Sequence, residues 1–237
     1  MTGNRKRVAI MISGRGSNMA ALIEAASDPA FPVEIVGVVS DQPTAPGLHF
    51  AAGRGIPTQI LARGDHADKQ AHETAIEAAL HGFGADLVAM AGYMRLLSAG
   101  FVERWSGKLI NIHPALLPMF RGLDTHARAL DAGVRVHGCT VHFVTPAMDE
   151  GPIIAQAAVP VLTGDTAETL GARVLKAEHR LYPMTLRLVA EGKARMEGGK
   201  TVIDPAATRE RGDTVQLVAP DLADGHASIE DLARFTP

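Results

Sequence analysis

Apolar residues fall in short, nearly unbroken runs through the first half of the chain, with polar or mixed stretches between them. Residues 7–13 (RVAIMIS) form one such run, and their pattern is that of a strand buried on both faces of a parallel sheet. Residues 34–39, 57–61 and 86–91 (DLVAMA) repeat it. Residues 18–26, 45–53 and 68–81 carry helical spacing, the first with Ser17 or Asn18 as its N-cap. Strands alternating with helices at this interval predict βαβ units with right-handed crossovers. The fold class is therefore α/β, with a Rossmann-like open, mostly parallel sheet.

The pattern changes in the second half. Residues 108–113 (KLINIH) predict one more strand, ending in a proline-rich loop at 114–118. Residues 137–145 and 152–161 are longer strand candidates joined by the short segment 146–151, so this part is predicted as an antiparallel C-terminal extension. A long helix is predicted from about Asp165, where Asp165 and Glu168 have capping-box spacing, to Pro183 or bent beyond it. From Gly192 onward the chain is polar and glycine-rich. The expected organisation is a domain over residues 1–192, with halves at about 1–108 and 109–192. An appendage follows over 193–237, with at most a little strand and a tip prone to disorder.

Composition narrows the function. The 237 residues are 46% apolar and 21% charged, an ordinary globular mixture. A net charge of −3, from 23 basic and 26 acidic residues, offers nothing to a phosphate backbone, so no nucleic-acid partner is expected. No run of about 18 apolar residues suggests a membrane span. The N-terminus lacks the features of a signal peptide, and the single cysteine, Cys139, excludes an internal disulfide and a multi-cysteine metal site. A cytoplasmic location is expected. None of the ten histidines shows a persuasive metal-ligand spacing, and His137 and His142 have opposite strand parity, so they face opposite ways. Neither a Gly-x-Ser-x-Gly elbow nor a Cys–His nucleophile pattern is present, which favours direct transfer over a covalent enzyme intermediate.

Two segments carry candidate chemistry. Residues 14–18 (GRGSN) join a buried strand to a helix, where backbone N–H groups and the helix N-terminus favour an anion. A dinucleotide fingerprint needs a third glycine, and Met19 stands there. Asp41, just after the second strand, still allows a nicotinamide reading. The Walker lysine is missing, and a turn that only serves the fold stays open. The second segment ends a strand. Asn111 and His113 lie two apart and so share a face at the carboxyl edge of the sheet, where ligands bind. An imidazole moves a proton near neutral pH or, when charged, stabilises an oxyanion, and an asparagine amide donates a hydrogen bond to a carbonyl oxygen. Asp149 lies in the following inter-strand turn, and a carboxylate near His113 would fix its orientation.

Residues 109–118 (LINIHPALLP) resemble the signature of the folate-dependent formyltransferase family. Residues 12–18 (ISGRGSN), 91–97 (AGYMRLL) and 149–156 (DEGPIIAQ) are similar to the branch that acts on a phosphoribosyl glycinamide in purine biosynthesis. Glu178-His179 followed by Tyr182-Pro183 resembles a late-helix motif of the same branch, and the matches are collinear from about residue 7 to 192. The resemblance implies 10-formyltetrahydrofolate as co-substrate and small-molecule substrates, with no metal, nucleic acid or membrane, in a monomer or homodimer. It implies Asn111, His113 and Asp149 as the catalytic set, and Gly16, Ser17, Asn18 and Glu178 around the phosphoribosyl substrate. It implies a folate site at Lys69, Met94, Arg95, Leu96 and Leu97, at Asn111, and at the loop of Thr145, Pro146, Ala147, Met148 and Asp149.

Met119 and Asp124 replace a lysine and a histidine common in the family, and Arg121 is less usual there. These departures bear on local phosphate or surface contacts rather than on the catalytic set. Two related activities share the signature. A methionyl-tRNA formyltransferase is expected to add a C-terminal nucleic-acid-binding domain, and a formyltetrahydrofolate hydrolase an N-terminal regulatory one. A dinucleotide-binding oxidoreductase is the reading from another class.

Overall fold

The computed structural model describes residues 5–207 together with Leu217 and Ala219. Most of the far appendage, including the tip predicted to be prone to disorder, lies outside the described residues. The elements run β1 (Lys6–Ile12), α1 (Ser17–Ala26), β2 (Val33–Ser40), α2 (Pro46–Gly53), β3 (Thr58–Ile60), α3 (Lys69–Gly82), β4 (Leu87–Met90) and α4 (Ala99–Arg104). Then come β5 (Leu109–His113), α5 (Thr125–Asp131), β6 (Val136–Phe143), β7 (Ile153–Pro160), α6 (Ala167–Ala190), β8 (Ala194–Glu197) and β9 (Lys200–Ile203).

Seven strands form one sheet in the order β3-β2-β1-β4-β5-β6-β7. The pairs from β3 to β5 are parallel, and β5–β6 and β6–β7 are antiparallel. The open α/β sheet with an antiparallel extension is thus the one expected. The chain winds outward from β1 to β3 and returns to β4, so the topological switch lies between β1 and β4. Alternate residues of each strand enter different cores. Ile10, Ile12 and Ile110 pack with Leu22 of α1 and Leu186 of α6. Met11 and Leu109 pack with Ile76 and Leu80 of α3 and Phe101 of α4. Both faces are covered, which is why the strands read as continuous apolar runs.

Local details differ from the pattern-based expectation. The α1 N-cap is Gly16, at φ 71° and ψ 31°, and no side chain caps the helix. The strand must turn at once into the helix through a left-handed residue, a position for glycine. Ser17 and Asn18 therefore sit in the first turn with their side chains free for other partners. The α6 capping box is Thr166 with Thr169, not Asp165 with Glu168. Asp165 instead takes both Nη atoms of Arg173, at 2.7 and 2.9 Å. The helix also runs through Pro183 to Ala190. Its apolar face holds it there: Leu181, Tyr182, Leu186 and Val189 are buried, and the Tyr182 hydroxyl donates to the Met90 carbonyl at 2.9 Å. The short helices α4 and α5 were not predicted, because six and seven residues are too few to show a period. Residues 194–203 form a hairpin closed by Gly198-Gly199, both at positive φ.

Candidate active site

The carboxyl end of β5 presents Asn111 and His113 on one face, away from α6. Antiparallel register sets His142 of β6 opposite Asn111 and Thr140 opposite His113. Thr140 fastens the loop after His113: its hydroxyl donates to the Ala115 carbonyl at 2.7 Å and accepts from Leu117 N–H at 3.0 Å. That loop returns Phe120 over the histidine, whose Nε2 donates to the Phe120 carbonyl at 3.0 Å. From the other side comes Asp149, with Oδ2 3.4 Å from His113 Nδ1. The same oxygen accepts from Gly122 N–H at 2.9 Å, which ties the two loops together.

Oxygen atoms therefore face both ring nitrogens of His113, the Phe120 carbonyl at Nε2 and the Asp149 carboxylate beside Nδ1. Burial lowers the pKa of His142, and its Nδ1 donates to the Phe143 carbonyl at 2.9 Å. The neutral ring leaves Nε2 as an acceptor for the Asn111 amide at 3.3 Å. At 3.8 Å from the same nitrogen, Asp149 Oδ1 is beyond hydrogen-bond reach. Asn111 is thus fixed with its amide hydrogens identified, one held by His142 and one free.

Backbone strain gathers around the histidine. Phe120, Asp124 and Asp149 all adopt positive φ, at 55°, 56° and 54°. Left-handed conformations outside glycine are uncommon, and Phe120 and Asp149 adopt them on the two loops that meet at His113. Gly151 permits the close crossing beside Asp149: a Cβ there would lie 1.7 Å from the Phe143 carbonyl oxygen. Arg121 and Glu150 form an exposed ion pair between the same two loops.

The other candidates occupy two neighbouring edges. Asn18 donates to the buried carboxylate of Glu178 at 2.8 Å, which joins the glycine turn to α6. Burial pushes the Glu178 pKa up, against the Asn18 hydrogen bond. Met94 and Leu96 are 64% and 66% exposed, with Met148 at 50%, so they line a surface rather than fill a core. Leu97 packs against the core beside α3 and α4. Arg95 pairs with Asp41 at 2.5 Å. Lys69 stands apart, 3.9 Å from Glu73, whose carboxylate accepts from Ser98 N–H. Thr145, Pro146 and Ala147 shape the loop that carries Asp149, with the Thr145 hydroxyl 3.5 Å from the Ala147 carbonyl.

His142 is the member of this cluster that the sequence pattern did not single out. Its parity, opposite to that of His137, was legible; its cross-strand partner Asn111 depended on the β5–β6 register. Among the described residues no group of three or more His, Cys, Asp or Glu side chains is placed to hold a metal ion, and no helix is long and apolar enough to cross a membrane. A groove of about 450 Å³ between β7 and α6, lined by residues such as Ala157, Lys176 and Met184, includes none of these candidate site residues.

The family model described as formyl transferase matches residues 6–186. The chain is 48% identical over 197 residues to the trifunctional purine biosynthetic protein adenosine-3 of Bos taurus, covering 83% of this chain but 20% of that protein's length. It is 38% identical over 197 residues to phosphoribosylglycinamide formyltransferase of Escherichia coli (strain K12), covering 83% of this chain and 93% of that one. The crystal structure of phosphoribosylglycinamide formyltransferase from Brucella melitensis superposes with a TM-score of 0.76 at 62% identity, covering 78% of this chain and 96% of that one. With the family model spanning the whole sheet and the His113 cluster, the chain belongs to the formyl transferase family.

Proposed function

We propose that this chain, through residues 1–192, transfers the formyl group of 10-formyltetrahydrofolate to the amine of phosphoribosylglycinamide, a step of purine biosynthesis in the cytoplasm. The observation that carries the reading is the Asn111–His113–Asp149 cluster at the carboxyl end of β5, inside the segment matched by the family. Two relatives that it matches over most of their length are named for this reaction.

The amine nitrogen attacks the formyl carbon, a C–N bond forms, and negative charge grows on the formyl oxygen. The free Asn111 amide hydrogen and the His113 imidazolium stabilise that oxygen, each well-placed donor contributing on the order of 3 kcal/mol. The donor now satisfied by the Phe120 carbonyl is the one the oxyanion would claim. The tetrahedral centre then releases the folate nitrogen as the C–N10 bond breaks. The proton lost by the attacking nitrogen passes to N10, with Asp149 holding the imidazolium and ordering a relaying water. The glycine turn at Gly16, Ser17 and Asn18 binds the substrate phosphate, as a helix N-terminus favours an anion. Glu178, held by Asn18, faces the rest of that substrate. Met94 to Leu97 and the loop of Thr145, Pro146, Ala147, Met148 and Asp149 receive the folate, with Lys69 near its outer end.

The test is an absorbance assay for deformylated folate with and without phosphoribosylglycinamide. Product only when the amine is present is expected. Equal product without it would replace the transferase reading with hydrolysis.

A further inference from the structure

Asp41 stands where a dinucleotide-binding fold carries the acid that holds a ribose, yet here both of its oxygens are engaged. Its side chain is 2% exposed, Oδ1 accepts from the Ser13 hydroxyl at 2.5 Å, and Oδ2 accepts from Arg95 Nε at 2.5 Å. Gln42 Nε2 adds a long hydrogen bond to Oδ2 at 3.4 Å. With its hydroxyl hydrogen committed to Asp41, Ser13 offers its oxygen lone pair to Met94 N–H at 2.9 Å. Ser13 N–H also donates to the Gly92 carbonyl at 3.0 Å. One buried carboxylate at the topological switch thus grips the end of β1, just before the glycine turn, and the strip that follows β4.

That strip needs such a grip. Met94 and Leu96 point outward, so burial of those side chains does not hold the backbone between them. Tyr93 is buried, and its hydroxyl finds no hydrogen-bond partner among the described residues, so there it anchors by packing. The main chain at Met94 and the guanidinium of Arg95 are held by Asp41, the guanidinium directly and the main chain through Ser13.

We propose that Asp41 is a positioning residue for the formyl-donor site: through Ser13 and Arg95 it holds the Met94–Leu97 strip in the shape that receives the folate. The inference rests on the functional reading above, which assigns that strip to the folate. A carboxylate suits the task because it only accepts, and both neighbours are donors. An asparagine of the same shape can accept from one of them but turns its own N–H groups toward the other. A strip left loose must be ordered when the folate binds, and that cost appears in donor affinity.

The experiment is Asp41→Asn and Ser13→Ala in the full chain, with kinetics in both substrates and amide exchange at Met94. The expected result is a KM for 10-formyltetrahydrofolate raised about tenfold, with kcat and the acceptor KM within about twofold. Met94 N–H should exchange faster in both variants. Asp41→Asn combined with Arg95→Gln should be no worse than the more damaging single change, as for partners in one network. A donor KM within twofold of wild type in a folded Asp41→Asn variant overturns the proposal. So does an acceptor KM that rises as much as the donor KM, or Met94 exchange unchanged in both variants. If the wild-type chain does not turn over this substrate pair, the functional reading fails instead, and the Met94 exchange rates alone decide whether Asp41 holds the strip.

Discussion

The carboxylate of Asp149 approaches His113 from the β6–β7 loop, 3.4 Å from Nδ1, while the Phe120 carbonyl lies 3.0 Å from Nε2 on the opposite side of the ring. Two loops thus hold one imidazole between them and set its orientation. If that imidazole acts on the formyl oxygen, His113→Ala lowers kcat about 10²- to 10³-fold, because it removes a donor that matters most in the transition state. The folded state should persist, since the sheet around it is packed by apolar side chains. Steady-state kinetics beside thermal unfolding check this; near-normal turnover in a folded variant would remove His113 from the mechanism.

Asp149→Asn separates charge from geometry. Asparagine tolerates the left-handed backbone found here at φ 54° and can still accept from Gly122 N–H. It does not carry the negative charge beside His113. Turnover should fall about tenfold or more, the order expected when a hydrogen bond to a charged group is removed, with Tm nearly unchanged. Asp149→Ala also breaks the Gly122 tie and should cost more in both. Equal rates for wild type and Asp149→Asn would mean that the carboxylate acts by shape alone.

Much of this was legible in the chain. The parallel half announces itself because strands covered on both faces keep unbroken apolar runs, as in residues 7–13. Asn111 and His113 share a face because strand periodicity leaves no choice. What stayed hidden depended on pairing across distance. The approach of His142 to Asn111 needs the β5–β6 register. The Gly122–Asp149 bond needs two irregular loops to meet. The α6 cap was misplaced by one residue because Asp165 satisfies cap chemistry on paper, whereas the folded chain gives it Arg173 and leaves capping to Thr166.

Glu178 should reveal itself through pH. Burial raises its folded-state pKa above the unfolded value of 4.5. The folded chain therefore holds that proton more tightly, a contribution present below pH 4.5 and lost as pH rises through the raised folded value. Above that raised value the folded chain carries a desolvated carboxylate. Glu178→Gln can keep the Asn18 bond without the charge and should gain stability over wild type as pH rises from 4.5 through that value. The advantage should vanish toward pH 4. The acceptor KM should rise in the same variant. Denaturant melts across pH check the first claim, and an unchanged acceptor KM would detach Glu178 from the substrate.

His137 predicts an acid limb of the opposite sign. Burial, with His126 next in effect, pushes its pKa down to about 4. The folded ring is neutral while the unfolded one takes a proton near 6.5, so stability present above pH 6.5 is lost as pH falls toward 4. His137→Phe removes the titrating group and keeps a ring beside Phe120 and His126. The loss between pH 6.5 and 4 should shrink by on the order of 1 to 2 kcal/mol. Part of the slope should remain, because His126 and His142 also have lowered values. Identical acid limbs in urea melts would show that His137 takes no part.

Gly151→Ala tests whether the crossing of the β6–β7 loop sets the position of Asp149. A methyl group there would sit 1.7 Å from the Phe143 carbonyl oxygen and 3.3 Å from His142 Nδ1. That carbonyl is the acceptor that fixes the His142 tautomer, and the neighbouring Phe143 N–H donates to the Pro152 carbonyl at 3.0 Å. The loop must therefore lift off β6, carrying Asp149 two residues upstream and loosening the ring that holds Asn111. Overpacking of this kind costs about 1 to 3 kcal/mol. A loss of stability alone would leave the folded fraction fully active, whereas displacement of Asp149 lowers kcat of the folded enzyme about 10²-fold, as for a misplacement near 1 Å. Gly53→Ala is the control, since a Cβ there meets no atom within 4 Å. Turnover per folded molecule, measured well below the Tm of each variant, separates the two outcomes. Full activity per folded Gly151→Ala molecule would show that the glycine serves only the packing of the loop.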